Sequence, residues 1–279
     1  MARDAILREI KGLDPVADHQ RIAFLTSLHE FPWDTTRSLE LALFRAFAVA
    51  KGTGLLAGTG EFTTRTQKRY DDTVLILAEI LEHGYDSDRG RAALRRMNQM
   101  HGRYSIPNDE FLYVLSTFVF EPIRWNERFG WRPLHRNEKL ASFHFWREIA
   151  RRMAIRDVPD EYETFERYYA EFAREHYRFA PENHALATAT RDLFLGWYLP
   201  KALWPLGRPF VHAMMDDHLL DAVGLPRPHP AVRRMTELAV RLRSRIIRRL
   251  PPRRKPRLIT QRRHPSYPNG YTIDELGVH

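Results

Sequence analysis

Apolar residues recur at three- and four-residue steps along almost the whole chain, and no stretch alternates β-branched and polar residues between turn pairs. A 3.6-residue repeat buries one stripe of a helix and suits no half-buried strand, so the expected fold class is all-α. Helices are predicted over 14–30, 35–50, 63–82, 88–103, 109–129, 137–153, 160–178, 182–198, 208–223 and 229–249. Asp34 or Thr35 is placed to cap the second, and Ser87 or Asp88 the fourth. The glycine-rich stretch 52–60 (GTGLLAGTG) reads as a flexible loop between helices. Over 229–249, Val232, Met235, Leu238 and Leu242 share a stripe that should pack on the core. The helices vary in length with no repeat period, which excludes a solenoid. With 279 residues, the reading is a single globular helical domain over residues 1–250. A basic, proline-rich, irregular C-terminal extension follows over 251–279, packed over the domain or hanging from it.

Composition removes several chemistries. The chain has no cysteine, which excludes disulfides, thiolate metal sites, iron–sulfur clusters, covalently attached haem and a cysteine nucleophile. None of the 13 histidines has a glutamate three residues before it, and no two lie four apart, so di-iron carboxylate and zinc-protease ligand sets are missing. The opening MARDAILREIKG is charged and amphipathic rather than a secretory leader, and no apolar run is long enough to span a bilayer. A cytoplasmic protein is expected. The net charge of +9 is unevenly placed: residues 241–263 hold 11 Lys/Arg and no Asp/Glu, leaving the rest slightly acidic. That segment has no aromatic residue to stack on bases, so nucleic acid is not expected as a partner. A solvated end, or peripheral contact with an anionic membrane, remains. Trp197, Tyr198, Trp204 and Phe210 are read as core in preference to an interfacial patch.

Three motifs invite chemistry. Gly52-Thr53-Gly54-Leu55-Leu56-Ala57 matches a dinucleotide fingerprint, but that site needs a strand before the glycines, and here a helical pattern precedes them. In Arg96-Met97-Asn98-Gln99-Met100-His101-Gly102-Arg103-Tyr104, His101 shares a helix face with Leu94, Met97 and Asn98. It reads either as a satisfied core histidine or as a haem ligand reaching into a pocket. One helix upstream, Arg69, Asp72, Thr73 and Ile76 share a face on an otherwise apolar helix. Either Arg69 and Asp72 form an internal ion pair, or the group is a polar wall facing an oxidant, with Arg69 stabilising negative charge on oxygen.

The stretches Lys68-Arg69-Tyr70-Asp71-Asp72-Thr73, Arg96 to Tyr104, Ile106-Pro107-Asn108-Asp109 and Phe129-Gly130-Trp131-Arg132-Pro133-Leu134 together resemble a known family. It is that of the bacterial and fungal oxygenases of the mycophenolic-acid-biosynthesis type, which share a catalytic domain with the rubber oxygenases (latex clearing proteins). The resemblance is strongest over residues 40–225. It implies a globin-like helical core, a non-covalent haem b, and dioxygen-dependent cleavage of a carbon–carbon double bond in an apolar isoprenoid chain. Carried over residue by residue, it makes His101 the iron ligand and Arg69 and Thr73 the polar residues on the opposite side. The rubber oxygenases have a lysine immediately before that threonine; here it is Asp72, a candidate base or an orienting partner of Arg69. The competing function is a non-enzymatic helical haem- or lipid-binding module, docked to anionic membrane by its basic tail.

Overall fold

The computed structural model describes residues 4–278, which form α-helices with two isolated β-bridges and no strand among them. In chain order these are α1 (Ala5–Gly12), α2 (His19–Phe24), a π-helical turn (Leu25–Glu30), α3 (Pro32–Ala46), α4 (Ala50–Gly58), α5 (Glu61–Thr64), α6 (Thr66–His83) and α7 (Asp88–His101). Then follow α8 (Asn108–Phe129), α9 (Arg136–Arg152), α10 (Tyr162–His176), α11 (Pro181–Gly196), α12 (Trp204–His212), α13 (Asp217–Ala222) and α14 (Pro230–Arg249). The long α8 is the axis: α3, α9, α10 and α14 pack around it. Leu112, Leu115, Val119, Phe120 and Ile123 are buried along it, because it meets neighbours on most of its circumference. A second apolar cluster joins α6, α7 and α9 through Leu75, Ile76, Ile80, Ala93, Leu94, Phe145 and Ile149.

The expectation of an all-α domain holds. Ser87 caps α7 as expected, its side chain accepting from the Gly90 N–H at 3.0 Å. Asp34 does not cap α3, which opens with Pro32. Its carboxylate is buried and accepts from Trp125 Nε1 at 3.1 Å. The helix predicted over 208–223 is two helices, α12 and α13, broken at 213–216 where the Asp216 side chain caps α13.

Residues 52–60 are not a flexible loop. Most of them belong to α4, which packs on α11, and the break falls at Gly60, whose φ of +69° suits glycine. Glycine's low helix propensity is overridden by packing, helped by Thr53, whose hydroxyl donates to the Val49 carbonyl at 2.8 Å.

Helix α14 also departs from expectation. Met235, Leu238, Leu242 and Ile246 are 51–55% exposed instead of packing on the core. Mostly polar side chains attach the helix instead, with Ile247 packed on the core beside them. The Ser244 hydroxyl donates to the Phe129 carbonyl, Arg243 meets Asp34 at 3.2 Å and lies 3.6 Å from the Trp33 ring, and Glu237 pairs with Arg128. The surface beneath α14 offers a buried carboxylate and a free carbonyl, which only the polar stripe satisfies. Of the four aromatics read as core, Trp197 packs against Tyr70 and Phe194, while Tyr198 and Phe210 are exposed.

The Gly-Trp-Arg-Pro turn is a clamp. Arg132 donates to Glu138 at 2.6 and 3.0 Å and to Glu30 at 3.1 Å, and lies 4.8 Å from the Phe31 ring. Glu138 also closes the capping box of α9 and accepts from Thr26 at 3.0 Å. Removing the cation takes the shared counter-charge from two buried carboxylates, so Arg132→Met should lose roughly 3–5 kcal/mol in urea unfolding. Adding Glu30→Gln and Glu138→Gln should recover part of that loss.

Candidate active site

One large cavity, about 470 Å³, lies between α3, α4, α6, α7, α8 and α9. Its wall is mostly aliphatic and aromatic, and its volume suits a small molecule or cofactor. Gly52, Leu55, Leu56 and Thr59 contribute one side at the i, i+3, i+4, i+7 positions of α4. A side chain at Gly52 would place its Cβ 2.4 Å from Glu110 Oε2, so the glycine lets that carboxylate approach α4.

Arg69, Asp72, Thr73 and Ile76 all border the cavity, as their common face on α6 requires. Arg69 donates to the Thr73 hydroxyl, which in turn donates to the Arg69 carbonyl at 3.0 Å. Its guanidinium also stands 4.9 Å from the Phe62 ring. Burial lowers the Arg69 pKa, while the negative charges of Asp72 and Glu61 oppose that shift. No ion pair between Arg69 and a carboxylate forms among the described residues. Its direct partners are a hydroxyl and a ring, so the cation is held in place without being neutralised.

His101 is the last residue of α7 and reaches the same cavity. It is the only histidine bordering it among the described residues; His144 and His212 lie elsewhere. Phe111 packs edge-on against its ring at 5.1 Å. Burial, and then the charge of Arg69, lowers its pKa to about 4, so the imidazole is neutral at pH 7. Its Nδ1 is buried with no hydrogen-bond partner among the described residues. Gly102 closes α7 without adding bulk beside the ring, and Asn98 anchors the helix by donating to the Arg152 carbonyl at 2.9 Å.

Asp72 is engaged away from Arg69. Lys68 donates to its two oxygens at 3.1 and 2.9 Å, and the Tyr267 hydroxyl donates to it as well. Tyr267 belongs to the C-terminal segment, which lies across α6 and α7. Asp71 accepts from the Ser266 N–H at 3.0 Å, Glu79 from Tyr271 at 2.6 Å, and Glu82 from the Thr260 hydroxyl at 2.5 Å. Arg96 donates to the Leu276 carbonyl at 2.7 Å and Arg103 to that of Val278 at 3.1 Å. Leu276 is fully buried, and Ile259, Gly277 and Val278 complete the cavity wall.

The chain as a whole is similar to known proteins. Residues 35–248 match the family model described as ER-bound oxygenase mpaB/B'/rubber oxygenase, catalytic domain. The chain belongs to this family. It is 28% identical over 243 residues to the ER-bound oxygenase mpaB' of Penicillium brevicompactum, spanning 81% of this chain and 57% of that one. It is 28% identical over 216 residues to the ER-bound oxygenase mpaB of Penicillium roqueforti (strain FM164), spanning 71% and 72%. The chain thus covers little more than half the length of the first relative. The latex clearing protein in its closed state shares the fold, with a TM-score of 0.56 at 14% identity, over 86% of this chain and 69% of that one. The matched family model is described as the catalytic domain of oxygenases. Among the described residues, no helix is long and apolar enough to cross a membrane.

Two cavity residues escaped the sequence reading. Glu40 lines the wall, paired with Arg37 at 2.6 Å and accepting from Tyr70 at 2.9 Å. Burial raises its pKa to about 7 against the opposing pull of both partners. The other is Glu110. Glu40 is an isolated glutamate in an apolar run, which was an available signal, whereas Glu110 stands beside Asp109 at the polar start of α8 and offered none.

The C-terminal segment carries a pH-dependent tie. The Asp71 carboxylate, 3.8 Å from His264 Nδ1, raises the His264 pKa over the opposing effect of burial. Burial would raise the Asp71 carboxyl, but the nearby His264 and hydrogen bonds from Ser266 and Gln67 bring it below its usual value. A raised histidine pKa stabilises the fold below the unfolded value of about 6.5 and ceases to do so as pH rises through the folded value. The melting-temperature gap between wild type and His264→Gln should therefore be full near pH 5.5 (about one unit below that reference) and shrink above neutrality.

Proposed function

We propose that the protein is a haem b-dependent oxygenase that cleaves or oxidises a carbon–carbon double bond of an apolar, isoprenoid-like small molecule with dioxygen. The observation that carries this reading is a neutral imidazole with a buried, unpartnered nitrogen in a largely apolar cavity that also holds an un-neutralised arginine. The donor set fits haem: a neutral histidine offers a lone pair to iron, and Met97, Met100 and Phe111 offer apolar surface to a porphyrin. Without cysteine, the cofactor is held non-covalently. When bound, haem supplies an iron centre able to activate dioxygen.

The chain's own residues do the rest. His101 would hold the iron, its neutrality secured by burial. Arg69 would present a fixed positive donor where negative charge develops on oxygen, in surroundings where such a donor acts strongly. Thr73 keeps that guanidinium oriented by accepting from it and anchoring to the helix backbone. Asp72 acts as a positioning residue, since Lys68 and Tyr267 already occupy its oxygens. The aliphatic wall excludes water and receives an apolar chain.

His101→Ala should lose most bound haem, read from the Soret band and pyridine haemochrome stoichiometry, with far-UV circular dichroism still helical. Normal haem content with an unchanged axial-ligand spectrum would overturn the assignment. Because protons compete for His101 only near pH 4, wild-type haem occupancy should stay flat from neutral pH down to about pH 5. A histidine titrating near 6.5 would lose affinity about tenfold per unit below that value.

Oxygen uptake with an isoprenoid separates an oxygenase from a haem- or lipid-binding carrier. In that assay Asp72→Asn should keep haem and lower turnover while leaving the pH profile unchanged in shape. Burial raises the Glu40 carboxyl at the cavity wall to about 7, so a rate limb near pH 7 that rests on this group should vanish in Glu40→Gln.

A further inference from the structure

We propose that α14 is a membrane-docking helix that lies flat on an anionic bilayer, its apolar stripe in the acyl boundary and its arginines among the headgroups. The proposal is independent of what the cavity does. At 100° per residue, Leu238, Leu242, Met235 and Ile246 fall within an arc of about 80°. All four are about half exposed, and they lie opposite Ser244, the buried residue that seats the helix on Phe129. The helix is therefore seated through the side that carries Arg243, Ser244 and Ile247, and no element of the described chain covers the apolar stripe opposite.

Arg234, Arg241, Arg245 and Arg248 form a row beside the stripe, within about 60° of one another. All four are exposed, and no ion pair engages them among the described residues. Arg253, Arg254 and Lys255 continue the charge past the helix end, and Leu250 continues the apolar surface. α12, which packs against α14, adds exposed Leu206 and Phe210.

Charge decides the occupant. A second copy apposed on the same face would bring these arginine rows close to their own equivalents, whereas anionic headgroups complement them. Nucleic acid would match the arginines but leave the leucine stripe in water. An amphipathic helix with a cationic border and a bulky apolar stripe is the form that inserts shallowly into an interface.

The test is co-sedimentation of the full-length protein with phosphatidylcholine vesicles, with and without about one-third phosphatidylserine. Binding is expected to the anionic vesicles and to weaken at least about tenfold between low and high salt. The Leu238→Glu/Leu242→Glu variant should lose binding with an unchanged melting temperature, since neither leucine is core. Arg245→Glu/Arg248→Glu should lose the preference for phosphatidylserine. Absence of binding to anionic vesicles at low salt, or equal binding by the leucine variant, would overturn the proposal. So would a dimer in analytical ultracentrifugation that the leucine variant dissolves, because the stripe would then be a subunit interface.

Discussion

Helix α6 lies between the cavity and the C-terminal segment, and the site depends on how its polar side chains divide between those two sides. Arg69 and Thr73 look into the cavity with Ile76 and Leu77. Asp71, Asp72, Glu79 and Glu82 all hold residues 259–271. Each of these carboxylates would be costly to bury alone, and the segment supplies backbone N–H groups, tyrosine hydroxyls and a histidine to meet them. The segment thereby fixes the rotation of α6 about its axis, and that rotation aims Arg69. A tail that looks irregular and basic is thus part of the cavity's scaffold up to Val278, while its arginine-rich beginning faces solvent.

Much of this was legible in the sequence where the signal was local. Helical periodicity located most helices to within a few residues, and the common face of Arg69, Asp72, Thr73 and Ile76 followed from spacing alone. The apolar setting of His101 followed in the same way. The two readings left open for Arg69 and Asp72 were an internal ion pair and a polar wall. Lys68 decides against the pair by taking Asp72 from one turn away, and Tyr267 joins it from the far end of the chain. The lysine was visible at helical spacing; the tyrosine was not, because no periodic pattern joins residues nearly two hundred positions apart.

The misread elements share a physical cause. α4 carries three glycines and a threonine in nine residues, and packing on α11 stabilises it where intrinsic preference does not. α14 has the pattern of a core helix, and amphipathicity alone states that a stripe seeks a low-dielectric environment without saying which one. Its neighbours offered Asp34 and the Phe129 carbonyl, so the polar stripe turned inward. The Gly-Trp-Arg-Pro turn, read as a family signature, borders no part of the cavity. Its arginine ties the π-helical turn to the start of α9, a structural task.

The electrostatics of the cavity give the arrangement its direction. An arginine in apolar surroundings ordinarily recruits a carboxylate, and Asp72 is on the adjacent residue to Thr73, available by sequence. The fold instead commits Asp72 to Lys68 and Tyr267, near enough for its charge to help keep Arg69 protonated but not bonded to it. A contact ion pair would have spent the guanidinium's field on a neighbour. Separated from its counter-charge and steadied by Thr73 and the Phe62 ring, Arg69 keeps that field directed at the cavity. The same field helps hold His101 neutral. One cation thus favours an unprotonated imidazole and an electron-rich guest in the same space, and it does so because a lysine one turn earlier satisfies the carboxylate that would otherwise have quenched it.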